Sequence, residues 1–119
     1  MRVQTVIVDL PYPAKALWPN GRAHYMAKAR ETGKHREWAW WAATGQPRPK
    51  PGLGPIPIKI IVHAKPRGPL PDRDGVIGAA KSYLDGISDR IGVNDKHFAA
   101  PTVEFSPERT SRFVIEVGT

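Results

Sequence analysis

At 119 residues and without cysteine, the chain can build one domain around a single core, but it can form neither a disulfide nor a thiolate-bound metal centre. Eighteen Lys and Arg against eleven Asp and Glu give a formal charge of +7 and a pI near 10.1, which favours a polyanionic partner, most often nucleic acid. The longest apolar runs, 60–62 and 38–43, are too short to span a bilayer, and MRVQTVIVDL lacks the apolar core of a secretory signal, so no membrane partner and a cytoplasmic location are expected.

In chain order, residues 3–9 are rich in β-branched side chains and predict a first strand, stopped by Leu10-Pro11-Tyr12-Pro13. Pro19-Asn20-Gly21 is a turn signal. Good helix formers follow from Ala27, and a helix is predicted over about 34–43 beyond Thr32-Gly33, with Trp38, Trp41 and Ala42 on one face; the tryptophans read as core or as contacts with a second copy ahead of the alternative, base-stacking platforms. Arg22, His24, Lys28, Arg30, Lys34 and Arg36 fall within fifteen positions and read as a phosphate-contacting arm or as a solvated helix face. Residues 46–57 carry five prolines and form a connection. Alternation in Ile58–Ala64 predicts the best strand, residues 101–105 a short one, and Thr110–Val117 the last. The expected fold is α+β: one small domain over 1–119, with a mixed sheet of about four strands packed against helices.

Between strands two and three, Pro71–His97 holds Asp72, Asp74, Asp85, Asp89 and Asp95, five of the eleven acids of a basic chain. Such crowding is commonly relieved by a cation, which here would have to sit on oxygen or histidine ligands. Ile77, Ala80, Leu84, Ile87 and Ile91 follow helical spacing, with Asp74 as the expected N-cap. Opposite that face, Asp74, Gly78, Lys81 and Asp85 keep to one line, and Gly78 leaves it bare, as if something must approach closely. Asp95 lies in a loop beyond the helix's C-terminus, an end about 25 Å from Asp74 at 1.5 Å per residue. For all the acids to meet, the helix must break near 86–88 or the loop must fold back; otherwise Asp95 joins a different cluster. The acids have plainer roles too, as caps for the helix dipole and as an Asp85–Lys81 pair.

Asp72-Arg73-Asp74, Lys81, Asp85-Gly86 and Gly92-Val93-Asn94-Asp95 together resemble the RusA-type Holliday junction resolvases, small endonucleases of bacteriophages and prophages. Leu10-Pro11-Tyr12-Pro13, Leu17-Trp18-Pro19-Asn20-Gly21-Arg22, His24 and Lys28-Ala29-Arg30 are similar to the phage branch of that family. Gly75 departs from it, since the family commonly has Asn there. The resemblance implies a RusA-like fold and a Mg²⁺-dependent endodeoxyribonuclease (Mn²⁺ as a substitute) that nicks branched DNA symmetrically as a homodimer in the bacterial cytoplasm. It implies Asp72, Asp74 and Asp95 as metal ligands, with Asp85 as a further ligand or a partner of Lys81. Lys81 would neutralise phosphate, and Arg73 would join the basic arm on DNA. The competing expectations are a nucleic-acid-binding module without catalysis, in which the aspartates only cap helices, and a nuclease of the same fold acting on flaps or forks.

Overall fold

In a computed structural model the described residues are 5–19, 25–49 and 54–118. They run β1 (Val6–Pro11), α1 (Tyr25–Ala42), β2 (Ile58–His63), α2 (Arg73–Ile91), β3 (Thr102–Phe105) and β4 (Arg112–Val117), with 3₁₀ turns at Lys15–Leu17 and Asp95–His97. The strands form one mixed sheet in the order β1-β4-β2-β3. β4 pairs antiparallel with both neighbours, and β2 lies parallel to β3, which the chain reaches by way of α2. The expected α+β fold with a four-stranded mixed sheet is therefore present.

Alternation decides which face of the sheet is covered. Val6, Val8 and Leu10 of β1, Ile58, Ile60 and Val62 of β2, Val103 of β3 and Phe113, Ile115 and Val117 of β4 are all buried. α1 packs against β1 and α2, and α2 also meets β3. Nineteen residues of α2 run without a break, from the Asp72 N-cap to Gly92, whose φ of 70° supplies the left-handed end.

Several details depart from the sequence reading. α1 begins at Tyr25 and runs straight through Thr32-Gly33; the Thr32 hydroxyl donates to the Lys28 carbonyl, and Gly33 faces open space. Its buried residues are His35 and Ala39, with Ala43 buried just beyond its end, so Trp38 and Trp41 are not core: Trp38 is 39% and Trp41 62% exposed. α2 buries Val76, Ala79, Ala80, Tyr83 and Ile87, while Ile77 and Leu84 are only half-buried. The face is rotated and widened because α2 meets two neighbours, the sheet and α1. Tyr83 lies within it, its hydroxyl donating to the Pro11 carbonyl at 2.7 Å, and burial pushes that hydroxyl's pKa up, above its ordinary value.

His35 joins α1 to the 3₁₀ turn. Nδ1 lies 2.7 Å from the Glu31 carbonyl, and Nε2 accepts the Ala14 amide at 3.1 Å, a pattern that requires the neutral Nδ1–H tautomer. Burial lowers its pKa, against the raising pull of Glu31; Lys34 lowers it further. The folded state thus resists a proton that the unfolded chain takes up near pH 6.5, so this contribution is complete above about that pH and is lost as pH falls toward the folded-state pKa. Urea unfolding is expected to show stability decreasing from pH 7 to pH 5, with a shallower decrease in His35→Gln. Equal slopes in the two proteins would place the sensitivity elsewhere.

Candidate active site

The predicted site residues separate into two groups along α2. At its N-terminus Asp72, not Asp74, is the cap: Asp72 Oδ1 accepts the Gly75 amide at 2.6 Å. Asp74 stands exposed in the first turn, where a carboxylate favours the helix dipole. A Cβ on Gly75 would sit 2.5 Å from Asp72 Oδ1 and 3.6 Å from the Trp18 ring. Glycine at this position is thus what lets Asp72 close tightly on the helix.

Next along the helix comes Gly78, and the close approach its bareness suggests is made by the chain itself. A Cβ there would meet Pro19 Cγ at 2.8 Å. Pro19 is held by Trp18, which stacks on Tyr12 at 5.3 Å, meets Phe113 edge-on and donates Nε1–H to the Pro13 carbonyl at 3.1 Å. The Tyr12-Pro13 and Trp18-Pro19 parts of the N-terminal resemblance therefore anchor a segment over α2.

Gly86 has a packing role as well. Its missing side chain leaves room for the α1 backbone, since a Cβ would overlap the Arg36 carbonyl oxygen and lie 3.0 Å from Ala39 Cβ. The Asp85-Gly86 pair therefore combines a surface carboxylate with the crossing point of the two helices.

Beyond the helix, Asp95 is set by a dense backbone network. Gly92 and Val93 amides donate to the Ser88 carbonyl, the Ser88 hydroxyl donates to the Val93 carbonyl at 2.5 Å, and Arg48 donates to the Gly92 carbonyl. Asn94 Oδ1 accepts the Lys96 amide at 3.0 Å and so opens the 3₁₀ turn. Ile56 then pairs with Phe98, tying this turn to the start of β2. The helix does not break, but the chain after Gly92 turns back along it, so that Asp95 clusters with Lys81 and Asp85 midway along α2.

That cluster lines a cavity of about 590 Å³, whose wall includes Lys81, Asp85, Asp89, Asn94, Asp95 and Arg36. Lys81, Asp85 and Asp95 also line a more apolar cavity of about 300 Å³ with Ile77, Leu84 and Phe98. Lys81 and Asp85 reach a third, of about 270 Å³, that Lys28 and Ser82 share. Lys81 Nζ lies 3.4 Å from Asp85 Oδ1, and Arg36 Nε donates to Asp89 Oδ2 at 2.8 Å. The sequence reading did not single out Asp89 for the site; its position four residues after Asp85 was the available signal.

The predicted DNA-contacting residues do not share one face. Arg22 and His24 lie outside the described residues. Lys28 faces the cavity with Lys81, Arg36 is held by Asp89, and Arg30 and Lys34 are exposed. Arg73 donates to the Val103 carbonyl at 2.7 Å, fastening the start of α2 to the sheet edge.

Among the described residues no three His, Asp or Glu side chains are gathered closely enough to hold a metal ion. The implied trio of Asp72, Asp74 and Asp95 is thus not assembled within one chain. Pairs of carboxylates are another matter. Mg²⁺ takes one or two carboxylates and completes its shell with water and phosphate, and the oxygen donors Asp85 and Asp95 on one wall suit that chemistry. Among the described residues no helix is long and apolar enough to cross a membrane.

No protein-family model matches the chain. It is 30% identical over 118 residues to an uncharacterized protein of Xylella fastidiosa (strain Temecula1), an alignment covering 92% of this chain and 74% of the relative.

Proposed function

We propose that this chain, which belongs to the same family as the Xylella fastidiosa protein, is a divalent-metal-dependent endodeoxyribonuclease that acts on branched DNA as a homodimer. The observation that carries this reading is one cavity wall of Lys81, Asp85 and Asp95 on a chain of formal charge +7. The RusA resemblance of the same stretch adds the substrate, a four-way junction, whose two-fold symmetry a C₂ dimer matches.

In this reading the basic surface draws in the phosphate backbone in a salt-dependent manner. Lys81, highly exposed and held by Asp85, places a positive charge where a phosphate meets the wall. Asp85 and Asp95 would hold Mg²⁺ or Mn²⁺, which supplies Lewis acidity toward phosphate oxygens and lowers the pKa of a bound water. Asp72 and Asp74 enter from the resemblance and stand at the N-terminus of α2, about two to three turns before Lys81 and Asp85.

The test is a labelled four-way junction incubated with Mg²⁺ and, separately, with EDTA. Paired nicks are expected with Mg²⁺ and none with EDTA. Salt-sensitive junction binding without cleavage in either Mg²⁺ or Mn²⁺ would instead mark a binding module. Fork, flap and linear duplex in the same assay separate a junction enzyme from a flap or fork nuclease.

A further inference from the structure

Among the described residues two buried polar atoms have no hydrogen-bond partner, His63 Nδ1 and Ser82 Oγ. Ser82 lies in the middle of α2 and is only 5% exposed. A helical Ser or Thr commonly turns its hydroxyl back to a carbonyl of the preceding turn. Thr32 does so to Lys28 at 2.8 Å, and Thr44, at the end of α1, to Trp40 at 3.2 Å. Ser82 does not, and a buried hydroxyl left unpaired costs stability.

Ser82 adjoins the cavity of about 270 Å³ that α1, α2, Leu17 and Pro19 enclose. Its wall also carries Lys28 from α1, and Lys81 and Asp85 from α2. Lys28 has no ion-pair partner among the described residues. Glu31, one turn further along α1, is engaged by Lys34 at 3.4 Å and is not on this wall. The Lys81 side chain is 72% exposed and meets Asp85 Oδ1 at 3.4 Å, which leaves ammonium protons for a further acceptor. Two ammoniums against one carboxylate give the wall a formal charge of +1, which matches the single negative charge of a phosphodiester.

We infer that this cavity seats one phosphodiester of the bound strand, with the Ser82 hydroxyl donating to a phosphate oxygen and Lys28 and Lys81 facing its charge. Folding leaves that hydroxyl unused, and a charged acceptor makes the stronger kind of hydrogen bond. Lys81 and Asp85 stand both on this wall and on that of the 590 Å³ cavity, so the seat adjoins the carboxylates that would hold the metal. The inference rests on the branched-DNA reading for its ligand, and adds to it a contact that needs neither metal nor cleavage.

The test is junction binding by the full chain in EDTA, followed by fluorescence anisotropy over a salt series. Ser82→Ala is expected to bind about tenfold more weakly, the scale of a hydrogen bond to a charged group, yet to melt no lower than wild type. A merely structural serine would show the reverse. Lys28→Gln should lower the slope of log affinity against log salt by about one, and Lys28→Arg should restore it. Wild-type affinity in Ser82→Ala, or an unchanged slope in Lys28→Gln, overturns the inference. These losses in a protein that never cleaves would sustain the seat and remove the nuclease reading alone. Without DNA, wild type should melt at the same temperature in phosphate as in chloride of equal ionic strength. A rise in phosphate that Ser82→Ala abolishes would assign the seat to a free phosphate ion and overturn the strand as its source.

Discussion

Gly86→Ala is expected to destabilise the fold by more than about 3 kcal/mol, a large share of the roughly 5–15 kcal/mol that holds a typical domain. Forcing extra methyl groups into a packed core ordinarily costs about 1–3 kcal/mol, because side chains can shift to make room. Here the obstacle is backbone. The new Cβ would overlap the Arg36 carbonyl oxygen and press on Arg36 C and Ala39 Cβ, each at 3.0 Å. Relief requires α1 and α2 to move apart along a contact that also buries Ala39, Ala79 and Tyr83. Urea unfolding measures the loss. Gly33→Ala is the control on α1: nothing lies within 4 Å of its added Cβ, so removal of a helix-interior glycine should stabilise by about 0.5–1 kcal/mol. A Gly86→Ala protein as stable as wild type would show that the helices do not cross this closely.

The strands were legible because half-buried β-strands alternate, and Ile58–His63 and Arg112–Val117 alternate well. The helices were legible as helices but not in their faces. α1 shows why. Its apolar-looking residues, Trp38 and Trp41, are exposed, while a histidine occupies the buried centre. Residue type alone cannot reveal that His35 is neutral and satisfied by Ala14 and Glu31, since both contacts depend on the tertiary path. Glycines misled for a related reason. Gly78 and Gly86 read as openings for a ligand or as motif chemistry, yet Pro19 and the Arg36 backbone fill the space beside them.

At the site, helical phasing put Lys81 and Asp85 on one line, and the structure pairs them at 3.4 Å. What phasing could not supply was the path after Gly92, because a left-handed glycine redirects the chain without any periodic signal. Asp89 lies one turn beyond Asp85, where helical phasing alone gives it no partner. Its neighbourhood is set instead by Arg36, 53 positions away in sequence.

Asp95→Asn is expected to reduce Mg²⁺-dependent junction cleavage about a hundred- to a thousandfold, the scale on which loss of a single charge-stabilising group is felt. Thermal stability should barely change, because the side chain is exposed and the turn is capped by Asn94 rather than by Asp95. The RusA resemblance predicts the same loss for Asp74→Asn, and the geometry of α2 makes that pair of results informative. Asp95 stands beside Lys81 and Asp85, about two to three turns along α2 from Asp74, and among the described residues no three acids are gathered closely enough to hold one ion. Carboxylates that one chain does not gather can be brought to one phosphate by a second copy. An isologous dimer achieves this twice, since each contact is repeated by symmetry. Mixing the two inactive variants under conditions where subunits exchange should then restore cleavage, because each mixed dimer holds one site with Asp74 and Asp95 both intact. No recovery, with exchange confirmed by sedimentation of tagged chains, would confine the chemistry to the Lys81, Asp85 and Asp95 wall of a single copy. Asp85→Asn would then be as inactive as Asp95→Asn, and the loss in Asp74→Asn would have to come through binding, visible as weaker junction affinity in EDTA.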